Sequence, residues 1–88
     1  TAANSSSISD GAASLILMSA ANAQKRGIKP LARIVAQASH AQAPEWFTTA
    51  PVDAIRKVLK KASWNQNDVD LYEINEAFAV VTMAAITE

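Results

Sequence analysis

Asn75 is the residue with the most chemistry in prospect. It opens the stretch Asn75-Glu76-Ala77-Phe78-Ala79, which joins an expected strand, Val69 to Ile74, to an expected helix beginning at Glu76. A junction of this kind aims an amide donor and acceptor into the crevice at a strand's carboxyl end, where open α/β sheets bind ligands. The amide does not titrate at neutral pH, so its chemistry is to hold a water or polarise a carbonyl, not to move protons. The structural alternative is that the same side-chain oxygen caps the free amides of the following helix.

Other candidates are fewer. Glu73 and Glu76 suggest a pair of carboxylates for acid-base work. Three residues apart across a strand-helix junction they share no fixed direction, and an acid in the first helical turn is ordinary. His40 is the single histidine. It falls in an irregular stretch without an assigned partner, which favours a surface position over a catalytic one. Trp46, Phe47 and Trp64 read as core or groove lining. The small polar run from Thr1 to Ser9, with Ser5-Ser6-Ser7 at its centre, is either a flexible linker or a loop whose hydroxyls and backbone amides can meet a ligand or a helix end.

The elements that must position these residues follow from pattern. Asp10-Gly11 makes a turn before the apolar run that ends at Met18, and residues 14–18 are expected as a strand. A helix then starts near Ser19 and ends at Gly27, with Lys25 and Arg26 against the negative end of its dipole. Residues 31–38 carry Ile34 and Val35 at their centre and suit a second strand. Together they form a β-α-β unit, and residues 39–49 are irregular. Pro51 suits a first helical turn and Asp53 its positive end. Val52, Ile55, Val58, Leu59 and Ala62 then recur at helical spacing, opposite a solvated basic face of Arg56, Lys57, Lys60 and Lys61. Residues 65–68 turn into the strand 69–74. The last helix, from Glu76 to Thr87, is apolar almost all round, so another domain or subunit is expected to cover it. The fold class is α/β.

Composition excludes several functions. The 88 residues are half hydrophobic, enough for one small core. Eight basic residues balance eight acidic ones, which leaves no electrostatic footprint for nucleic acid and no basic amphipathic face for a membrane. With no cysteine, these positions hold no disulfide, no thiolate metal site and no cysteine nucleophile. No metal site is expected. No apolar run approaches the roughly 20 residues of a membrane span, and no signal-peptide pattern opens the chain, so a soluble, cytoplasmic protein is the expectation, with the mitochondrion as alternative. The chain opens on Thr1 and closes on an apolar helix without a stop signal, and is expected to be a piece of something longer.

Several blocks then carry a resemblance. Thr1-Ala2-Ala3-Asn4 with its serine loop, Ser9-Asp10-Gly11-Ala12-Ala13, Arg26-Gly27, Pro30-Leu31-Ala32-Arg33-Ile34-Val35, Ala50-Pro51 and Asn75-Glu76-Ala77-Phe78 resemble the thiolases in order and spacing over the whole chain, most nearly the acetyl-CoA C-acetyltransferase branch. Ser7, Ser9 and Ala50 depart from the commoner glycine, asparagine and glycine of that family. The resemblance implies a layered αβαβα fold built of two similar halves, with residues 1–28 closing the first and residues 29–88 opening the second. It implies an acyltransferase that joins two acetyl-CoA into acetoacetyl-CoA, or cleaves 3-ketoacyl-CoA, through an acyl-cysteine. Coenzyme A thioesters are then substrates, with no resident cofactor. The partners implied are the remainder of a thiolase chain and further copies of it in a homo-oligomer.

By the same resemblance Asn75 positions an oxyanion-hole water. Ser6 bonds the pantetheine arm of coenzyme A, Ala2 lines that groove, Phe47 lies near the acyl end, and Ala77 and Phe78 continue into the pocket wall. The family's nucleophilic cysteine falls upstream of Thr1, and its Gly-His-Pro block and second cysteine fall downstream of Glu88. His40 does not match the catalytic histidine. Two rivals stand beside this: a thiolase-like protein that binds acyl-CoA or lipid without catalysis, and a structural module that packs its last helix on a partner.

Overall fold

Local sequence sets the helix ends. In the computed structural model, which describes residues 1–87, helix α1 covers Ala20–Lys25, and the Ser19 hydroxyl accepts the Asn22 N–H at 3.2 Å, as an N-cap does. Gly27 closes it at φ +67°. Its N–H donates to Gln24 O at 3.1 Å and that of Ile28 to Ala23 O at 2.9 Å, the paired bonds of a Schellman end. Helix α2, Ala50–Ala62, carries Pro51 in its first turn and ends in the same way, except that Ser63 occupies the left-handed position at φ +57°. There Ser63 N–H bonds Lys60 O at 3.2 Å and Trp64 N–H bonds Leu59 O at 3.0 Å.

The face of α2 toward the core carries the buried Val52, while Arg56, Lys57, Lys60 and Lys61 are exposed. That basic face is more than solvated. Lys61 Nζ donates to Gln37 O at 3.0 Å and Lys57 Nζ to Ser39 O at 3.4 Å, so two lysines one turn apart meet alternate carbonyls of the incoming chain. Lys57 Nζ also lies 2.8 Å from His40 Nδ1. His40 is therefore not an unpartnered surface residue. Its Nε2 lies 3.3 Å from Asp53 Oδ2 and 3.2 Å from Gln42 Oε1. A lysine can only donate, so Nδ1 accepts and the neutral ring carries its proton on Nε2. Asp53 also meets Arg56 at 3.3 Å.

The stretch expected to be irregular contains a short 3₁₀ helix, Pro44–Thr49. The Gln42 amide braces it by donating to Trp46 O and to Thr49 Oγ1. A second 3₁₀ turn, Gln66–Asp68, is closed by a capping box in which Asn65 N–H donates to Asp68 Oδ2 at 2.7 Å.

Helix α3, Ala79–Thr87, packs against α2 and the 3₁₀ helix Pro44–Thr49 and buries Val81. It begins three residues later than the pattern suggests. Residues 77 and 78 are engaged with the N-terminal loop in β-type pairing, and a backbone so engaged cannot be helical, so the helix starts at Ala79, whose free first-turn N–H completes the pairing. Glu76 is thus not a first-turn acid of α3, which has none.

The expected strands 14–18, 31–38 and 69–74 are not formed among the described residues, where the one β-type pairing is an isolated antiparallel bridge between Ser5 and Phe78. A strand belongs to a pair, because each backbone N–H and C=O needs a neighbouring chain. These segments have none beside them and stand open, with Leu15, Ile16, Leu31 and Leu71 exposed. The surface is accordingly large, 8064 Å² against roughly 5,000 Å² for a compact monomer of this mass. The radius of gyration, 16.5 Å, exceeds the roughly 12 Å of a closed domain. The apolar side chains of these segments are left uncovered by the described residues. No helix among the described residues is long and apolar enough to cross a membrane.

Candidate functional site

Two segments far apart in sequence meet at one cleft. Its walls are Ala3, Asn4, Ser5, Ser6, Ser7 and Ser9 on one side, with Asn75, Glu76 and Ala79 on the other. The joint is a pair of backbone bonds, Ser6 N–H to Ala77 O at 3.3 Å and Ala79 N–H to Asn4 O at 3.2 Å. They flank the Ser5–Phe78 bridge as an antiparallel non-hydrogen-bonded pair requires. A side chain completes it: Ser6 Oγ donates to Ala77 O at 2.8 Å. The Asn4 carbonyl also satisfies an amide at the start of α3, one that has no partner within the helix itself.

The loop is folded on itself as well. Asn4 N–H donates to Thr1 O at 3.2 Å, Thr1 Oγ1 to Asn4 Oδ1 at 2.9 Å, and the Ser7 and Ser9 hydroxyls lie 3.0 Å apart. It is an organised wall of the cleft, not a linker.

Asn75 is exposed, and its side chain has no hydrogen-bond partner among the described residues. It does not cap α3, which starts four residues on. Its donors and acceptor are left for a ligand or a water in the cleft.

Of the residues singled out from sequence, Ser6 and Asn75 share this cleft, and Ala77 supplies the carbonyl that ties its two walls. Ala2, Phe47 and Phe78 are not among its lining residues. Phe78 sits in the bridge, Phe47 in the 3₁₀ helix Pro44–Thr49, and Ala2 in the turn before Asn4. Glu73 is outside the cleft, whereas Glu76 is on its wall. Asn4 and Glu76 are polar lining residues that sequence reasoning left out of the site, as are Ser5, Ser7 and Ser9 of the serine loop beside Ser6. Asn4 stands in the Thr1-Ala2-Ala3-Asn4 block, but its contact with Ala79 is invisible without the fold. Among the described residues no group of three His, Cys, Asp or Glu could hold a metal ion.

What the arrangement can do is bind a polar, largely neutral ligand. Hydroxyls, backbone amides and the two carboxamides of Asn4 and Asn75 line the cleft, and Glu76 supplies its one ionisable side chain. Such groups accept and donate hydrogen bonds and hold waters; they do not supply a nucleophile with its base.

Comparison with known proteins places the chain among relatives of one kind. The family model described as Thiolase, C-terminal domain, matches residues 28–88. A probable acetyl-CoA acetyltransferase of Dictyostelium discoideum is 57% identical over 84 residues, covering 96% of this chain and 20% of the relative. An acetyl-CoA acetyltransferase of Schizosaccharomyces pombe is 55% identical over 84 residues, covering 96% and 21%. Further relatives carry mitochondrial or cytosolic in their names. The crystal structure of the Bacillus anthracis acetyl-CoA acetyltransferase superposes with a TM-score of 0.76 at 43% identity, over 80% of this chain and 18% of that one. The chain spans about a fifth of the length of the curated relatives it matches.

Proposed function

The chain belongs to the thiolase family and has a thiolase-like fold, and from that premise we propose that the intact protein is an acetyl-CoA C-acetyltransferase. It condenses two acetyl-CoA into acetoacetyl-CoA and free coenzyme A, or runs the reverse cleavage, through an acyl-cysteine. The nucleophile and the acid-base groups belong to other parts of the enzyme, and coenzyme A thioesters enter as substrates without a resident cofactor.

In this reading Asn75 holds the water that faces the thioester oxygen. As the carbanion forms, that oxygen gains charge, and a donor already aimed at it stabilises the charge without reorganising. The unpartnered carboxamide in the cleft supports the role. Ser6 has spent its one hydroxyl proton on Ala77 O, so toward the pantetheine arm it accepts, taking an amide N–H on a free lone pair. Ala2 and Ala77 line the arm's groove, Phe78 continues the wall, and Phe47 reaches the acyl end when the complete fold brings the 3₁₀ helix to the cleft.

Residues 1–28 then end the first thiolase half and residues 29–88 begin the second, a division supported by the family match opening at residue 28. The layered αβαβα arrangement gives the open segments 14–18, 31–38 and 69–74 their missing neighbours. A homo-oligomer in cytosol or mitochondrion fits the same assignment, both addresses being found among the relatives' names.

The observation that carries this is the meeting of the serine loop and the Asn75 turn at one cleft, 71 residues apart in sequence. The test is thiolysis by the full-length protein. Consumption of acetoacetyl-CoA on addition of coenzyme A supports the enzyme, whereas binding of coenzyme A without turnover assigns a non-catalytic acyl-CoA or lipid binder. No binding at millimolar coenzyme A leaves only a structural module.

A further inference from the structure

The cleft contains an asymmetry. Asn75, the group whose direction matters most, has no hydrogen bond of its own among the described residues, so nothing at its side chain fixes its aim. The nearest fixed points are the Ala77 carbonyl and the Ala79 amide. The Ala79 bond runs to the backbone of Asn4 and is indifferent to side-chain identity. The Ala77 carbonyl is held twice by one residue, through Ser6 N–H at 3.3 Å and Ser6 Oγ at 2.8 Å.

We propose that Ser6 is a positioning residue for Asn75: by donating its hydroxyl to the Ala77 carbonyl it locks the turn two residues beyond Asn75 and sets the direction of that amide. The proposal rests on the reading of Asn75 as the oxyanion element. It adds to the coenzyme A contact a second and separate task, performed from the other side of the same oxygen. A hydroxyl has one proton and two lone pairs, so one serine donates to Ala77 and accepts from the substrate at once. The wall that grips the substrate and the turn that stabilises charge are thereby coupled through a single atom. Hydroxyl chains of this kind strengthen one another, since an oxygen that donates becomes a better acceptor.

The two tasks separate by substrate. In the full-length enzyme, Ser6→Ala, Ser6→Thr and Asn75→Ala are measured with acetoacetyl-CoA plus coenzyme A, and again with the S-ethyl thioester of acetoacetate plus ethanethiol, a pair without any pantetheine amide. Ser6→Ala is expected to lose roughly five- to tenfold in kcat on both pairs, the size of one neutral hydrogen bond. With acetoacetyl-CoA it also raises KM. Ser6→Thr keeps the hydroxyl and recovers most of the kcat. In the Asn75→Ala background Ser6→Ala adds no further kcat loss on the ethyl pair, because it acts through the amide already removed. Loss confined to the coenzyme A pair, or losses that add in the double variant, overturn the positioning role and leave the thiolase assignment standing. An undiminished kcat in Asn75→Ala removes the oxyanion reading and this proposal with it. If Ser6→Ala does not fold, Ser6→Cys, close in shape with a weaker donor, takes its place: a partial kcat loss on both pairs supports the positioning role, and a loss confined to the coenzyme A pair overturns it.

Discussion

Asn75→Ala separates function from stability more cleanly than any other substitution in the chain. The side chain is exposed and makes no hydrogen bond among the described residues, and helix α3 starts four residues later, so it caps nothing. Surface changes of that sort usually move stability by less than about 0.5 kcal/mol. For a protein the size of the relatives this is a shift in Tm of under roughly 2 °C. Removing a donor that faces a developing oxyanion costs roughly 3–4 kcal/mol of barrier, two to three powers of ten in kcat. The expected variant is therefore folded, binds coenzyme A with near-native affinity, and turns over slowly. The assay is thiolysis of acetoacetyl-CoA, followed by loss of its absorbance, beside thermal unfolding of the same preparations. A kcat within a few-fold of the parent refutes the oxyanion role. A drop in Tm of many degrees with a matching loss of activity shows instead that Asn75 holds structure.

The remaining predictions concern what holds the cleft's scaffold. Ser63 sits in the left-handed region at φ +57°, so Ser63→Gly is expected to stabilise by about 0.5–1 kcal/mol in denaturant titrations. Gly27→Ala is expected to cost about 1 kcal/mol from backbone strain alone, since an added Cβ meets no atom within 4 Å. Lys57→Met and Lys61→Met, which release Ser39 O and Gln37 O, are expected to speed amide exchange over residues 37–42 while costing the global fold roughly 0.5 kcal/mol each. Nitrogen-15 spectra of the neutral His40 ring are expected to show the Nε2-protonated tautomer; an Nδ1-protonated ring contradicts the Lys57 contact.

Legibility followed the range of the forces involved. Ser19 and Gly27 mark helix ends through bonds between residues three to five apart, Pro51 through its fixed φ and missing N–H, and the structure places the ends beside them. The amphipathic pattern of α2 was readable for the same reason. The start of α3 was not, because its first turn competes with a loop 71 residues upstream. The strands at 14–18, 31–38 and 69–74 were inferred from apolar and β-branched content, which states what a segment would do if a neighbour were present. Besides the neighbouring Gln42, the partners of His40 lie 13 and 17 residues on, at Asp53 and Lys57, beyond any local signal. In the site, Asn75 and Ser6 were legible as residue types in recognisable blocks. That they face one cleft, and that Asn4 and Glu76 share it, depends on tertiary closure alone.

That closure has a cost in time. Bringing together groups 71 residues apart costs about 1.7 kcal/mol more chain entropy than closing a ten-residue loop, and only two backbone bonds, one bridge and one hydroxyl reward it directly. The helices, whose bonds are short in sequence, are expected to form first and the ends of the segment to dock afterwards. A nascent chain therefore has no such cleft until residue 79 has left the ribosome and met residue 4. In the folded chain the same seam, tied by so few bonds, is expected to open early on warming. Any molecule seated across it holds both banks at once, so occupancy delays that opening by mass action.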